Sequence, residues 1–327
     1  MNKNKFNKTY NTHPIDIKNI NNLSYYLAGL IEGNGNISFN KDNLSISISF
    51  HTKDKPLAQR LKILIGQGFG YIAYIKYNFI ELVFKEKDSL IFILNLINGK
   101  FRTPKYYQLV KAINFSNKNF SSQIFIKPID KSSIKTNSWL AGFIEADGHF
   151  YIRHSDEQII CKFSLEQRMI YPTRLYEYFN ILNINNFKFD YNFNYLDSYN
   201  VDFRNDETNS LINFKSNMQN SHFLNDICSA FNVNLKDRSR KIQDHLYKPY
   251  YIIRIENQAS IKLLIDYLDI YPLFSSKYLD FLNWKLAFFL ILAKEHYNDI
   301  GSYHIKSLKD SMNNSRTVFK WDHLNNI

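Results

Sequence analysis

Cysteine is nearly missing from this chain. The two present, Cys161 and Cys228, cannot build a disulfide framework or a cysteine-rich zinc module. Long apolar runs are missing too. The best candidates, Leu90 to Leu96 and Leu286 to Ala293, fall far short of the roughly 20 residues that a membrane span needs. The segment from Met1 to Pro14 is rich in Asn and Lys and has no apolar stretch of the secretory-signal kind. Acidic residues are in deficit, 30 Asp and Glu against 41 Lys and Arg, which leaves a net charge of +11. That excess points to a polyanionic partner, either nucleic acid or an anionic membrane. The basic residues are spread out rather than clustered, which argues against a membrane surface. The nine His are scattered, and the pair His149 and His154 lacks supporting ligands, which argues against a zinc nuclease.

Glycine, alanine and arginine are scarce as well. Asn, Ile, Lys, Tyr and Phe fill about half of the chain instead, against an ordinary composition led by Leu, Ala and Gly. The five favoured residues share A/T-rich codons. The bias therefore reports an A/T-rich genome, with the mitochondrion as the expected compartment, and not a property of the fold. What remains is globular composition, with 45% apolar and 22% charged residues. At 327 residues the chain is long enough for two domains or one duplicated unit.

The pattern along the chain favours duplication. Residues 1–20 read as a polar arm and residues 21–115 as a first patterned block. Residues 116–136, rich in Ser, Asn and Lys, read as a linker. Residues 137–295 form a second block, and 296–327 a polar tail. Leu27-Ala28-Gly29-Leu30-Ile31-Glu32-Gly33-Asn34-Gly35 returns as Leu140-Ala141-Gly142-Phe143-Ile144-Glu145-Ala146-Asp147-Gly148. Arg102-Thr103-Pro104-Lys105-Tyr106 is echoed by Ser275-Ser276-Lys277-Tyr278, which again puts Tyr after Lys. A repeat over more than 100 residues is a duplicated domain, not a solenoid.

Each nine-residue repeat reads as the end of a helix. Ser24 and Ser138 are expected to cap its start, and Gly35 and Gly148 to terminate it in the left-handed conformation. Small residues inside a helix are costly unless two backbones approach closely. Ala28, Gly29, Ala141 and Gly142 are therefore expected to form a helix–helix interface. The period then switches to two. Ile37 and Phe39 alternate with Ser38 and Asn40, and Ile46, Ile48 and Phe50 with Ser45, Ser47 and Ser49. The pair reads as a hairpin turning near Lys41-Asp42-Asn43. In the second block Cys161, Phe163 and Leu165 oppose Lys162, Ser164 and Glu166. Further strands are expected at Phe69–Ile75, Phe79–Phe84 and Tyr250–Ile255. Further helices are expected at Gln59–Ile65, Tyr106–Ile113, His222–Phe231, Ile261–Leu268 and Phe281–Ala293. Each block is then helix, hairpin, helix, hairpin, helix. A sheet with one polar, basic face can lie in a nucleic acid groove.

The two nine-residue motifs resemble the signature of the LAGLIDADG homing endonucleases in their duplicated, single-chain form. The resemblance spans most of residues 24–293. It implies an α+β fold of two tandem αββαββα half-domains related by a pseudo-twofold axis. Their antiparallel sheets would form a DNA-binding saddle. It also implies cleavage of double-stranded DNA with Mg²⁺, action as a monomer, and no membrane. Some members are encoded in group I introns and act as maturases, so intron RNA is a second expected partner.

The chemistry can be argued beside the resemblance. Phosphodiester hydrolysis needs an activated water, charge stabilisation and a bridging metal. A carboxylate at a helix C-terminus adds its charge to the negative end of the dipole and to outward-facing carbonyls. That makes an oxygen-rich site suited to Mg²⁺. Asp147 fits, with the carbonyl of Ala146 as a further ligand and Gly33 as its counterpart. The first copy departs from the family by placing Asn34 where the acid belongs. An amide oxygen still ligates but carries no charge, so Mg²⁺ affinity at that half is expected to fall. The outcomes left open are cleavage with a weakened site, nicking of one strand, or binding without cutting. Glu32 lies about 200° round the helix from Asn34 and is expected to be structural, as is Glu145. Gln167 matches a family position that orders water. Lys277 matches a basic position near the scissile phosphate, with Lys105 as its internal partner. His51 and Lys53 are the candidates for Gln167's counterpart. The basic run Lys236 to Lys241 is expected either to contact phosphates or to be a solvated loop. The polar sheet faces offer Ser38, Asn40, Ser45, Ser47, Arg153, Lys162, Ser164 and Arg254 for DNA contacts.

Overall fold

A computed structural model describes residues 17–40, 43–155, 158–168, 221–243 and 246–327. Two helices run side by side through the middle, α1 (Ile17–Asn34) and α5 (Trp139–Asp147). Their contact explains the small residues of the motifs. A Cβ on Gly29 would stand 1.9 Å from the carbonyl oxygen of Trp139, and one on Gly142 would stand 1.9 Å from that of Tyr26. The backbones therefore touch, and only glycine fits at either crossing point. Ala28 and Ala141 are fully buried beside them. Toward the helix ends Gly33 faces Ala146, so the two C-termini emerge together.

Each central helix runs straight into a four-stranded antiparallel sheet. In the first, β1 (Gly35–Asn40), β2 (Asn43–His51), β3 (Tyr71–Lys76) and β4 (Phe79–Phe84) take the order β1-β2-β4-β3. In the second, β5 (Gly148–His154), β6 (Ile159–Arg168), β7 (Leu235–Gln243) and β8 (Leu246–Ile255) take the matching order β5-β6-β8-β7. The alternation read from the sequence sets the faces. Ile37, Ile46, Ile48, Ile80, Leu82 and Phe84 point into the core, as do Phe150, Cys161, Phe163, Leu165, Ile253 and Ile255. Amphipathic helices cover those faces: α2 (Lys55–Ile65), α3 (Lys87–Ile97) and α4 (Tyr106–Phe120) in the first half. The second half has α6 (Ser221–Phe231), α7 (Gln258–Ile270), α8 (Ser276–Leu292) and α9 (Asp299–Asp310). In α2 the buried Leu57, Ala58, Leu61 and Ile65 form one stripe, and Pro56 opens the helix, where a missing N–H costs nothing.

Several expectations need correction. Helix α1 begins at Ile17, inside the expected arm, so Ser24 is mid-helix and donates to Ile20 O at 2.7 Å. Ser138 does not cap its own helix; its hydroxyl donates to Asn22 O across the interface at 2.5 Å. Gly148 is extended, and Gly35 is not among the positive-φ glycines. What demands glycine there is room, since a Cβ would lie 2.6 Å from Ile31 Cα at Gly35 and 2.7 Å from Ile144 Cγ2 at Gly148. Helix α4 runs to Phe120, five residues into the expected linker. Helix α3 was hidden in the apolar run Leu90 to Leu96. The basic run Lys236 to Lys241 lies in strand β7, not a loop. Residues 190–220, where part of the second block's extra length falls, lie outside the described residues. The polar tail contains α9 and packs back on the core through Ile305, Met312 and Leu324, with Arg316 paired to the buried Asp280 at 2.8 Å.

Candidate active site

The site is built where α1 and α5 end together. Asp147 is the last residue of α5 and is partly buried. Its Oδ2 accepts a hydrogen bond from Gln167 Nε2 at 2.5 Å, which brings the end of β6 against the helix terminus. Burial raises its pKa, while Gln167 and the ammonium groups of Lys277 and Lys105 oppose the rise. Lys277, in the first turn of α8, donates to Ile144 O at 3.0 Å and Gly148 O at 2.6 Å. Lys105 does the same in the first half, donating to Ile31 O at 3.0 Å and Gly35 O at 2.7 Å. The accepting carbonyls, Ile31 and Ile144 and then Gly35 and Gly148, obey the motif's own 113-residue offset, although the lysines themselves do not. Each lysine thus binds the carbonyls that flank its motif helix terminus, where the dipole favours a cation. Burial lowers both lysine pKa values, Lys105 to about 8, and nearby carboxylates oppose the fall.

The motif glutamates hold these lysines in place. Glu32 accepts from Arg102 N and Thr103 N, from the Thr103 hydroxyl at 2.6 Å, and from Trp139 Nε1 at 2.6 Å. Glu145 accepts from Phe274 N, Ser275 N, the Ser275 hydroxyl and the Tyr26 hydroxyl. Thr103 and Ser275 each stand two residues before a site lysine and accept from its backbone N–H. Tyr26 and Trp139 are themselves 113 residues apart. Each motif glutamate therefore takes one hydrogen bond from the other half's motif helix. Burial pushes Glu32 up to about 7 despite its donors, and it pushes Glu145 up too. The aromatic exchange was missed in the sequence, although the constant offset pointed to it.

The two halves differ at the chemistry. Asn34 ends α1 as Asp147 ends α5, but it is neutral and exposed. Register settles the partner of Gln167. Gly35 pairs with Ile48 and Gly148 with Leu165, so two residues further on stand Phe50 and Gln167. Neither His51 nor Lys53 occupies that place. His51 Nδ1 accepts from Lys53 N at 3.2 Å and caps a short 3₁₀ turn. Buried Phe50 offers no polar atom, so the first half lacks both the acid and the amide. It contributes across the interface instead. The buried Asp54 carboxylate accepts from Ser276 N at 2.6 Å, next to Lys277.

The donor set fits a hard divalent cation. Asp147 would supply a carboxylate, and Ala146 and Gly33, which meet where the two helices end, would supply carbonyls. The described residues hold no cluster of three or more His, Cys, Asp or Glu, so any cation would complete its shell with water and substrate oxygens.

The expected DNA-contact residues fall on the sheet faces turned away from the core. Ser38 and Ser45 pair across β1 and β2 with hydroxyls 2.7 Å apart, and Asn40 stands opposite Asn43. Ser47 shares that face but is only 8% exposed, which takes it out of easy reach. Arg153 and Arg254 are exposed, and Ser164 lies between His149 and Arg254. Lys162 is paired to Glu256 at 2.8 Å. No helix among the described residues is long and apolar enough to cross a membrane.

Residues 140–219 and 211–288 match the family model described as LAGLIDADG endonuclease, and residues 21–101 match that of the LAGLIDADG-like domain. Intron-encoded DNA endonuclease aI3 of Saccharomyces cerevisiae is 30% identical over 98% of this chain and 75% of its own length. The chain belongs to the LAGLIDADG endonuclease family. The family is one of metal-dependent hydrolases that cut DNA. The same yeast's intron-encoded RNA maturase bI4 is 26% identical over 45% of this chain and 22% of its own length. The solved LAGLIDADG homing endonuclease I-GzeII, in complex with its DNA target, shares the fold. Its TM-score is 0.56 at 14% identity, covering 90% of this chain and 99% of that one. I-AabMI bound to uncleaved DNA gives a TM-score of 0.56 at 16% identity.

Proposed function

We propose that this LAGLIDADG chain is an intron-encoded, mitochondrial, Mg²⁺-dependent endonuclease that acts as a monomer on a long duplex DNA site with unequal halves. The observation that carries the reading is the contrast of Asp147, Gln167 and Lys277 with Asn34, Phe50 and Lys105. Asp147 and the carbonyls of Ala146 and Gly33 would hold Mg²⁺, with the Asn34 amide as a weak fourth donor. Bound there, the cation would activate water and stabilise charge on the phosphate. Gln167 donates to Asp147 and fixes the orientation of its carboxylate. Its amide oxygen is then available to orient a water. Lys277, held on the Ile144 and Gly148 carbonyls, would bring a positive charge toward the scissile phosphate of one strand and stabilise the developing negative charge. Lys105 offers the other strand a charge but finds no carboxylate at the end of its own helix. The product expected is therefore nicked DNA. Ser38, Asn40, Ser45, Arg153, Ser164 and Arg254 would read the target, with Lys162 set by its pairing to Glu256 and Ser47 a supporting residue.

The test is a plasmid assay with purified protein, Mg²⁺ and supercoiled DNA carrying the intron-less junction of the host gene. Nicked circles support the reading. Linear product overturns the inequality of the halves, and unchanged supercoils with binding intact overturn the endonuclease. A second reading, a group I intron RNA maturase, is favoured by Asn34 and Phe50, which remove chemistry without touching the fold. The similarity to a relative named as an RNA maturase also supports it. Faster splicing of the intron RNA by an Asp147→Asn protein would establish that reading.

A further inference from the structure

The outer hairpins of the two sheets carry different chemistry on the same frame. Both are interrupted by a bulge near the tip, between Tyr74 and Lys76 in β3 and between Lys241 and Gln243 in β7. Where the second half has the exposed Lys236 and the Glu166-paired Arg238 in β7, the first brings rings. Tyr74 is 66% exposed, Phe79 is 54% exposed, and Tyr77 at the turn is fully exposed. Ile75 is exposed between them. Large apolar groups at this density on a surface call for a partner.

The charge around them says which kind. No acidic residue occurs from Tyr71 to Phe79, Lys76 lies in the strand itself, and two more lysines lie against its rings. Lys55 Nζ donates to the Tyr74 hydroxyl at 2.8 Å and lies 5.4 Å from that ring's centroid. Lys85 Nζ lies 5.6 Å from the centroid of Tyr71. Exposed rings next to lysines are the elements with which proteins hold unpaired strands: bases stack on the rings and phosphates meet the cations. A duplex hides its base faces and would gain little from Tyr74 or Tyr77. RNA is the nucleic acid that presents unpaired, splayed bases in loops and junctions.

Tyr74 stands opposite the buried Ile80 and so shares the helix-covered side of the sheet with Lys55, while Phe79 faces the other way, toward His51. We infer that Tyr74 and Tyr77 of the β3–β4 tip, with Lys55, form a stacking surface for an unpaired RNA segment, separate from the cleavage centre. The inference rests on the nucleic-acid reading above and locates the RNA contact within it. The experiment uses the full chain and a labelled, unstructured 12-nucleotide RNA, with duplex target DNA in parallel. The double variant Tyr74→Ala/Tyr77→Ala changes exposed side chains, and its thermal unfolding is compared with the parent to verify the fold. The expected result is a roughly 10- to 100-fold loss of RNA affinity. Duplex affinity and plasmid nicking should stay within about twofold. RNA affinity unchanged in the variant, or no RNA binding by the parent, overturns the proposal. A parallel loss of duplex affinity also overturns it, since the tip would then belong to the duplex face. So does a loss of self-association with RNA binding intact, because the edge strand would then serve a second copy of the chain. Nicking is read on the same preparations, so failure of the endonuclease reading and failure of this one are separate outcomes.

Discussion

Replacing Trp139 by Phe should destabilise the protein more at high pH than at low pH. The ring of Trp139 stacks on Phe143 at 4.9 Å, and Phe keeps most of that packing. What it removes is the N–H that reaches Glu32 Oε2 at 2.6 Å. The sign follows from Glu32. Burial raises its folded pKa to about 7 from the ordinary 4.5, so the folded state holds the proton more tightly than the unfolded chain. Its contribution is most favourable below about pH 4.5 and declines as pH rises toward 7. Above that the penalty is constant, about 3 kcal/mol at 1.36 kcal/mol per unit. The donors Thr103, Arg102 and Trp139 already limit the penalty. Without the indole N–H the folded pKa climbs further and the penalty grows. A hydrogen bond to a charged group contributes about 1.5–3 kcal/mol, and a neutral one about 0.5–1.5. The loss should therefore be about 1 to 1.5 kcal/mol larger at pH 9 than at pH 5.5, on top of a pH-independent term for the smaller ring. Urea unfolding at the two pH values measures this. In a Glu32→Gln background the pH dependence of the Trp139→Phe effect should vanish. An equal loss at both pH values would refute the reasoning, because the indole would then not be serving a carboxylate that ionises near neutrality.

Gly29→Ala and Gly142→Ala should each cost about 3 kcal/mol or more in urea unfolding, since a Cβ 1.9 Å from a carbonyl oxygen forces the central helices apart. A loss under about 1 kcal/mol would mean that the helices part easily. Asn34→Asp combined with Phe50→Gln should turn nicked product into linear product in the plasmid assay; nicked circles alone would show that more than these two groups separates the halves. Asp147→Asn should abolish strand cleavage, and Lys277→Met should slow it roughly 100-fold while duplex affinity is kept. Equal rates for Lys277→Met and the parent would remove that lysine from the chemistry. Deleting residues 311–327 should lower stability by several kcal/mol through loss of the buried Arg316–Asp280 pair and of Met312 and Leu324; thermal unfolding reads this directly.

The halves were legible because duplication checks itself. One motif is a helix end, whereas two at a fixed offset, each followed by a period-two stretch, predict a paired frame. The lysines were legible for the same reason. What stayed hidden has physical causes. Helix α3 is built round the short apolar run Leu90 to Leu94, a length at which period alone does not separate helix from strand. Strand β7 carries its basic residues on alternate and adjacent positions alike, so no clean period shows. The tail was judged by composition, although Ile305, Met312 and Leu324 suffice to anchor it. Phe50 could be matched to Gln167 only by strand register, because the turn between β5 and β6 is longer than that between β1 and β2.

The same geometry explains how a half can lose chemistry and keep its fold. Asn34 sits at the exposed end of α1, where acid or amide makes little difference to packing. Two residues away Glu32 is buried and tied to both halves, and its loss would leave the Arg102 and Thr103 amides and the Trp139 N–H unpaired in the core. Asp54 ties the first half to the helix that carries Lys277. The first half is thus a structural part of the second half's active site whether or not it cuts. Stability constrains the residues that position the lysines, whereas the exposed position 34 carries no such constraint. On the proposed mechanism a change there would alter what the protein does to its second strand, while the frame of the two halves stays in place.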